Sequence, residues 1–305
     1  MDNDVDLAAL RAFRAVVREG SFSAAARALR VPKSTLSKRV ADLEAAFGVR
    51  LIERTTRQLR ITAEGEVLAA RTDRLLDDAD DIRRTLTVAG SAPRGHLRLA
   101  VPNTIGHLMM GGITARFRAL YPEITLEIHF LDRAPDLLEE GFDGALRFGP
   151  LEDSGQVARV MAHGHAVMVA KPGLPGVDAL HHPEGLAGMP LVGLTASWAG
   201  AWQLETDSGG AITLPVSPPL LLGSFLAVRD AVLAGAGVAL LPAVLAQPEV
   251  QVGRLLHILQ DWTTPKRPML FVYPSAQSVT ARLRVFIDFL AAALRDTALQ
   301  PGPGS

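Results

Sequence analysis

Hydroxyl and ammonium groups lie close together in one short segment, at Lys33, Ser34, Thr35, Ser37 and Lys38. Such groups donate hydrogen bonds to phosphate oxygens and to base edges, and the start of a helix adds backbone N–H donors. The segment therefore favours contact with a nucleic acid. The alternative is a solvated helix face without a ligand.

Short helices are predicted to precede these side chains. Residues 6 to 18 read as an amphipathic helix that ends at Gly20, and its apolar stripe consists of Leu7, Leu10, Phe13 and Val17. Ser21 and Ser23 are candidate caps of a second, alanine-rich helix. Pro32 breaks the pattern, because proline disfavours a helical conformation in the residue before it.

A third helix is predicted to begin around Lys33 or Ser34 and to end at Gly48, with an apolar stripe of Leu36, Val40, Leu43 and Phe47. The polar side chains lie opposite this stripe. Two short helices joined by a tight turn, the second with polar and cationic residues outward, are typical of a helix-turn-helix that enters the major groove.

A small β-hairpin is predicted after the third helix, over residues 51 to 62. Leu59 and Ile61 alternate there with polar residues, and the cationic and hydroxyl side chains are Arg54, Thr55, Thr56, Arg57 and Arg60. This pattern predicts a wing with arginines at its tip. An ordinary surface hairpin is the alternative.

The charge is distributed unevenly along the chain. The 305 residues hold 31 Lys and Arg against 32 Asp and Glu, so the whole chain gives no argument for a polyanionic partner. Residues 1 to 62 nevertheless have a net charge of +5, and residues 63 to 90 have −3. A basic module on a mildly acidic body is the pattern of a nucleic-acid reader joined to another domain.

One long helix is predicted from residue 63 to about 89. Apolar and small residues follow steps of four and three along a seam made up of Leu68, Thr72, Leu75, Ala79, Ile82 and Leu86. A helix about 40 Å long is too long for a small domain to cover, so a second copy of the chain is the expected partner. A single helix packed on its own body is the alternative.

The remaining residues are predicted to form an α/β body beyond a hinge at residues 91 to 95. Short apolar strands alternate with helices, including one from Thr104 to Leu120 and one around Asp136 to Glu140. This alternation indicates mostly parallel strands, and in such sheets ligands bind at the carboxyl ends of the strands.

Enzyme chemistry has little support in the sequence. Cysteine is absent, and no G-x-S-x-G turn or phosphate loop ending in Gly-Lys-Ser or Gly-Lys-Thr occurs. Neither His163 with His165 nor His181 with His182 has metal-ligand spacing on one helix face.

The acidic N-terminus and the lack of about 18 consecutive apolar residues predict a soluble cytoplasmic protein without membrane contact. Besides a DNA-binding protein and an enzyme, the alternative is a carrier or receptor that binds a small molecule and does not bind DNA.

The N-terminal segment resembles the winged helix-turn-helix of LysR-type transcriptional regulators. The matching elements are GSFSAAARAL, LE at 43 and 44, FG at 47 and 48, RTTR at 54 to 57 and T-x-x-G ending at Gly65. The resemblance implies recognition-helix contacts to DNA from Lys33, Ser34, Thr35, Ser37 and Lys38, and wing contacts to the DNA backbone from Arg54 and Arg57. Ile52 stands where the family usually has Phe, and Lys33 where Gln is frequent.

The body resembles the effector-binding domain of the same family, which is similar to periplasmic solute-binding proteins. The similar stretches are GHLRLAVP, LDRAPDLLEEGFDGALRFG and AVRDAVLAGAGVALLP. The resemblance implies a winged helix-turn-helix over residues 1–62, a linker helix over 63–90 and an effector-binding domain over 91–305. Two Rossmann-like lobes are implied, residues 95–161 with 268–295, and residues 162–267.

The ligand is expected between these lobes. The candidate residues are Asn103, Thr104, Arg147, Phe148, Thr195, Ser224 and Phe225. Hydroxyls, amides and helix starts favour a carboxylate or similar anion. Asn103, Thr104 and Ser224 have a second reading as helix caps, and Arg147 as a structural partner of Asp143.

The whole resemblance predicts a bacterial regulator and no enzyme. Its partners would be double-stranded promoter DNA, a small-molecule co-inducer, one or three further copies of the chain in a dimer or tetramer, and RNA polymerase. No cofactor is expected.

Overall fold

Short helices begin the chain in the computed structural model, which describes residues 6–54, 59–87, 92–149, 156–195, 200–274 and 279–295. These helices are α1 (Leu7–Glu19), α2 (Phe22–Leu29) and α3 (Lys33–Phe47). Their ends follow the sequence signals: Ser21 Oγ caps α2, and Gly20 and Gly48 take the left-handed conformation after α1 and α3.

The three helices enclose one apolar core. Phe13, Val16 and Ala25 are fully buried there, together with Leu36. Two stripe residues differ from the prediction, because Leu7 is 42% exposed and Phe47 is 43% exposed. Leu7 is the first residue of α1. Phe47 is the last residue of α3, and the core lies under the earlier turns of the helix.

The predicted hairpin is present as β1 (Ile52–Arg54) and β2 (Leu59–Ile61), which pair antiparallel with Ile52 opposite Ile61. Ile52 is buried in the N-terminal core. The tip of the hairpin, with Thr55, Thr56 and Arg57, lies outside the described residues.

The long helix α4 (Ala63–Thr87) packs on its own domain over its first turns. Leu68 packs against the N-terminal core, Leu76 is fully buried in it, and Thr72 between them is buried, with 2% exposure. The prediction that Leu68 and Thr72 lie on a free seam is therefore wrong. Leu68 and Thr72 also belong to a second stripe of α4, spaced in steps of three and four, and this stripe faces α1.

The rest of the predicted seam is less constrained by the chain's own core. Leu75 is 46% exposed and Ala79 is half-buried. The side chains of Ile82 and Leu86 lie outside the described residues.

The chain divides into two compact units. The first comprises Met1–His96, Glu123–Thr125 and Thr280–Arg282, and the second comprises Leu97–Pro122, Leu126–Val279 and Leu283–Ser305.

The first lobe of the effector domain, here called subdomain I, contains a five-stranded sheet in the order β4-β3-β5-β14-β6. The second lobe is called subdomain II. The strands of the five-stranded sheet are β3 (Gly95–Val101), β4 (Ile124–Phe130), β5 (Gly144–Phe148), β6 (Val157–Gly164) and β14 (Arg267–Tyr273). Three helical segments follow β3 without interruption: α5 (Asn103–Ile105), a π-helical turn (Gly106–Met110) and α6 (Gly111–Leu120). The last helix is α9 (Ala281–Arg295).

Subdomain II is built around a three-stranded sheet in the order β12-β7-β13. Its strands are β7 (Ala166–Ala170), β8 (Val192–Leu194), β9 (Ala201–Glu205), β10 (Ala211–Pro215), β11 (Leu220–Leu222), β12 (Ala239–Pro242) and β13 (Leu256–His257). Its helices are α7 (Phe225–Leu233) and α8 (Ala243–Gln251), with short 3-10 turns at Val177–Ala179 and Pro183–Gly188.

Two expectations about this body are wrong. The strands are not mostly parallel, because β14 pairs antiparallel with both β5 and β6, and β7 pairs antiparallel with β12 and β13. The chain re-enters the first sheet from subdomain II and runs back through it. Residues 136 to 140 form a single turn instead of a helix, in which Asp136 Oδ1 accepts hydrogen bonds from the N–H groups of Leu138 and Glu139.

Several elements have no counterpart in the prediction. They are β6, β9, β10 and α8, the last with Pro248 inside it. Among the described residues, no helix combines the length and apolar character needed to cross a bilayer.

Candidate functional site

The polar face of α3 is accessible where the sequence predicts DNA contacts. Lys33, Ser34 and Lys38 are exposed, and Thr35 and Ser37 are half-buried at the flanks. Leu36 and Val40 hold the opposite face in the core. The helix thus presents its donors on a surface that its own packing keeps fixed.

The first turn of α3 carries no side-chain cap. Pro32 is the N-cap residue, and its side chain accepts no hydrogen bond. The backbone N–H groups at a helix start carry partial positive charge and suit phosphate oxygens. Lys33 lies in this same first turn, so cationic and backbone donors are neighbours.

The junction of the wing with α4 explains the T-x-x-G motif. Thr62 Oγ1 accepts the N–H of Gly65 at 3.0 Å and donates to the carbonyl of Arg50 at 2.7 Å. A Cβ on Gly65 would lie 2.2 Å from the carbonyl oxygen of Leu51. Only glycine permits this approach, which joins α4 closely to the wing. Arg54 is the last residue of β1.

The carboxyl ends of β3, β4 and β5 lie at one edge of subdomain I. Strand β3 is parallel to β5, with Leu99 opposite Gly144. Hydrogen bonds from Gly95 N to Glu123 O and from Leu131 N to Val101 O advance together along β3 and β4, so these strands are also parallel. Residues that follow the three strands are therefore brought to the same edge.

Two of the three N–H donors of Asn103 are engaged within the protein. Its backbone N–H donates to Asp132 Oδ1 at 3.1 Å, and its side-chain amide donates to Asp132 Oδ2 at 2.7 Å. One N–H of the side-chain amide remains for a ligand, but the neighbouring carboxylate of Asp132 disfavours an anion there, so a role of Asn103 in binding an anionic ligand stays a prediction. Asp132, which follows β4, had no signal in the sequence beyond its type. Thr104 is buried, with 9% exposure.

A histidine and an aromatic side chain near Asn103, His107 and Phe130, also had no signal in the sequence. His107 Nδ1 lies 2.8 Å from the carbonyl oxygen of Asn103, and its ring lies 5.1 Å from that of Phe130. The ring of Phe130 covers Gly106, where a Cβ would be 2.6 Å from it. The π-helical turn thereby sets the position of His107.

Arg147 and Phe148 lie at the end of β5. Arg147 pairs with Leu270 of β14 in the sheet and is half-buried. Phe148 is 40% exposed, and its ring lies against Gly164, where an added Cβ would be 2.9 Å from it. A flat apolar surface therefore stands at the same edge as Asn103.

Thr195, Ser224 and Phe225 come together in subdomain II. Strands β8 and β11 are parallel, and Thr195 N donates to the carbonyl of Leu222 at 3.0 Å. Ser224 Oγ accepts the N–H of Leu226 at 3.2 Å, so Ser224 acts as the N-cap of α7. Thr195 is exposed, and Phe225 packs partly into the core.

Two half-buried histidines of subdomain II have altered acidity. Burial lowers the pKa of His165, the charge of Lys266 lowers it further, and the charge of Asp207 opposes this. Burial also lowers the pKa of His257, with a smaller contribution from His165. His165 connects β6 to β7, so the pair lies beside one of the strand crossovers that join the two subdomains.

Similarity to known proteins extends over almost the whole chain. Residues 7–66 match the model described as "Bacterial regulatory helix-turn-helix protein, lysR family", and residues 90–295 match "LysR substrate binding domain". The transcriptional regulator PtxR of Pseudomonas aeruginosa is 35% identical over 292 residues, which cover 94% of this chain and 93% of that protein.

Solved structures of LysR-type regulators also match this chain over almost its whole length. CrgA from Neisseria meningitidis, a LysR-type transcriptional regulator, matches with a TM-score of 0.60 at 30% identity, covering 95% of this chain and 99% of that one. The virulence activator AphB from Vibrio cholerae matches with a TM-score of 0.57 at 26% identity, covering 94% and 99%.

Proposed function

Because the chain belongs to the LysR family of bacterial transcriptional regulators, we propose that it reads promoter DNA with the polar face of α3. The matched relatives are regulators, not enzymes, and the family joins a DNA-binding head to an effector domain. The supporting observation is the exposure of Lys33, Ser34 and Lys38 on a helix whose other face is buried. Thr35 and Ser37 complete the contact surface, and Arg54 and Arg57 of the wing reach the phosphate backbone.

A division of roles within α3 tests this proposal. Lys38→Ala is expected to weaken binding to every sequence by about five- to tenfold and to reduce the salt slope by about one, since it removes a phosphate contact. Changes at Lys33 or Ser34 are expected to alter which sequence is preferred. Fluorescence anisotropy with the duplex upstream of its own gene and with scrambled duplexes measures both.

Lys171→Ala is the matched control, because Lys171 is exposed in the effector domain. The opposite pattern, with Lys38 setting sequence preference and Lys33 acting uniformly, would contradict the assignment. Absence of any footprint on the upstream region at low ionic strength would overturn the DNA-reading role itself.

A small metabolite, anionic in character, is the proposed effector, bound between the strand edges of the two subdomains. Its acidic group is expected nearer Thr195 and Ser224, because the carboxylate of Asp132 repels anions near Asn103. Thr104, Phe148 and Phe225 would line the remaining surface, and Arg147 is the candidate cation. The metabolite acts as a co-inducer, and this function requires no resident cofactor.

Calorimetric titration of aromatic and aliphatic acids tests the effector site. Thr104→Val and Ser224→Ala each remove a hydroxyl group, and each is expected to weaken binding about fivefold if the ligand accepts or donates one hydrogen bond there. An affinity that stays unchanged in both variants contradicts the site.

We also propose that α4 joins two copies of the chain through Leu75, which is exposed, and through the later seam positions Ala79, Ile82 and Leu86. Two recognition helices would then read two half-sites related by symmetry. A dimer of dimers, contact with RNA polymerase and a cytoplasmic location belong to the same proposal. Light scattering that finds only monomer at micromolar concentration contradicts it.

A further inference from the structure

The segment between α3 and the wing is held by a carboxylate of α3. Glu44 Oε1 accepts the backbone N–H groups of Leu51 and Ile52 at 2.9 and 3.1 Å. Glu44 Oε2 accepts from Arg50 Nη1 at 3.1 Å. One side chain of α3 therefore takes three donors from three consecutive residues, six to eight positions further along the chain.

The same segment is held from the opposite side. Thr62 Oγ1 donates to the carbonyl of Arg50, and Thr62 N donates to the carbonyl of Leu51 at 3.1 Å. The side chains of Leu51 and Ile52 are buried in the N-terminal core. Residues 50 to 52 are thus fixed by α3, by the start of α4 and by the core, which leaves their backbone little freedom to move relative to α3.

The two side chains of this ion pair differ in exposure. The side chain of Glu44 is 11% exposed, whereas that of Arg50 is 81% exposed. A guanidinium has five N–H donors in a planar fork, and the ion pair engages only its Nη1 group. The outer side of the fork therefore faces solvent while Glu44 holds the inner side.

Arg50 lies on the surface that the proposed function assigns to DNA. An open groove between α3 and the wing is lined by Ser37 and Lys38 of α3, by Arg50, and by Glu53 of β1. Ser37 and Lys38 are proposed DNA contacts. A strand of DNA backbone that passes Lys38 would run along the groove in which the free side of Arg50 stands.

We propose that Arg50 is a further contact to the DNA backbone and that Glu44 is its positioning residue. Glu44 fixes the direction of the guanidinium and ties the wing to the recognition helix, so that both engage DNA as one rigid surface. An ordered cation loses less conformational entropy on binding a phosphate than a free side chain does. This inference rests on the proposed DNA-reading role and adds two residues to it.

The salt dependence of DNA binding by the full-length protein tests the contact. Arg50→Gln is expected to weaken binding about fivefold and to lower the slope of log K against log salt by about one per bound protomer, equally on the upstream duplex and on a scrambled duplex of the same length. Arg284→Gln is the matched control, because Arg284 is an exposed arginine of α9.

Unchanged slopes in Arg50→Gln, or an equal change in Arg284→Gln, overturn the inference. Sequence-specific binding by the unmodified protein is measured in the same series. If that specificity is absent while the scrambled duplex still reports Arg50, the proposed function fails and the contact stands.

The role of Glu44 is tested by coupling. Glu44→Gln keeps an oxygen acceptor for the backbone N–H groups but loses the charged partner of Arg50. We expect it to lower the salt slope by less than Arg50→Gln, and the double variant to bind as weakly as Arg50→Gln alone. Thermal unfolding confirms that each variant is folded during the assay. Additive losses in the double variant would show that Glu44 acts independently of Arg50 and overturn its positioning role.

Discussion

The two ends of the molecule build their binding surfaces in different ways. The contacts that α3 makes to DNA are proposed within six residues of chain, from Lys33 to Lys38, and the other proposed contacts, Arg50, Arg54 and Arg57, follow within twenty residues. The effector surface is assembled from residues at or after the ends of four strands, β3, β5, β8 and β11. Its polar groups already serve the fold: Ser224 caps α7, and Asn103 donates to Asp132.

This difference indicates where each surface is vulnerable. The DNA-binding surface depends on the scaffold that keeps α3 in place, so its weak points are packing positions such as Gly65. The effector surface depends on competition, because a ligand must replace or complement hydrogen bonds that the protein makes with itself. Substitutions in the two surfaces are therefore expected to differ in how far they change stability and ligand affinity.

The largest effect is expected at the wing junction. Gly65→Ala places a Cβ 2.2 Å from the carbonyl oxygen of Leu51. Because backbone must shift to relieve this contact, we expect a loss of about 3 kcal/mol in the free energy of unfolding of the N-terminal domain. Hydrogen exchange of amides in α1 to α3 measures it, together with a parallel loss of DNA affinity.

The same substitution in the effector domain is expected to have the opposite sign. Gly112 lies inside α6, and a Cβ added there would have no atom within 4 Å, so Gly112→Ala should stabilise its helix by about 0.5–1 kcal/mol. Equal destabilisation by both substitutions would remove the distinction between the two regions.

An intermediate effect is expected at the edge of subdomain I. Asp132→Asn removes the negative charge beside Asn103 and frees that edge for anions. We expect the affinity for carboxylate ligands, measured by calorimetry, to rise about tenfold, which corresponds to roughly 1.4 kcal/mol. Asp178→Asn, at an exposed aspartate of subdomain II, is the control. A fall in affinity would mean that Asp132 binds a donor group of the ligand instead.

The smallest effect concerns acidity in subdomain II. Burial lowers the pKa of His165 and of His257, so below a pH of about 6.5 the unfolded chain binds more protons than the folded one. The free energy of unfolding is therefore greatest above that pH and falls as the pH drops towards the folded pKa values. His257→Asn should flatten the decline in melting temperature between pH 7.5 and 5.5 by about 2 °C. His181→Asn, at an exposed histidine, should leave the slope unchanged.

The reading surface could be predicted from the sequence because its signals are local. Gly20, Ser21, Pro32 and Gly48 mark the helix ends within a residue or two, since capping and φ preference act over a few bonds. A periodic stripe then determines which side chains remain outside. The local rules failed at Leu7 and Phe47, the first residue of α1 and the last of α3, where the helices extend past the core that they cover.

The helix-turn-helix, the strands of the wing and the long helix follow from patterns in the sequence. Three features depend on the tertiary structure: Thr72 is buried within its own chain, β14 runs antiparallel between β5 and β6, and Asp132 accepts two hydrogen bonds from Asn103. The physical reason is distance along the chain. Periodicity and capping depend on neighbours a few residues apart, whereas strand direction and hydrogen-bond partners depend on which distant segments the folded chain brings together.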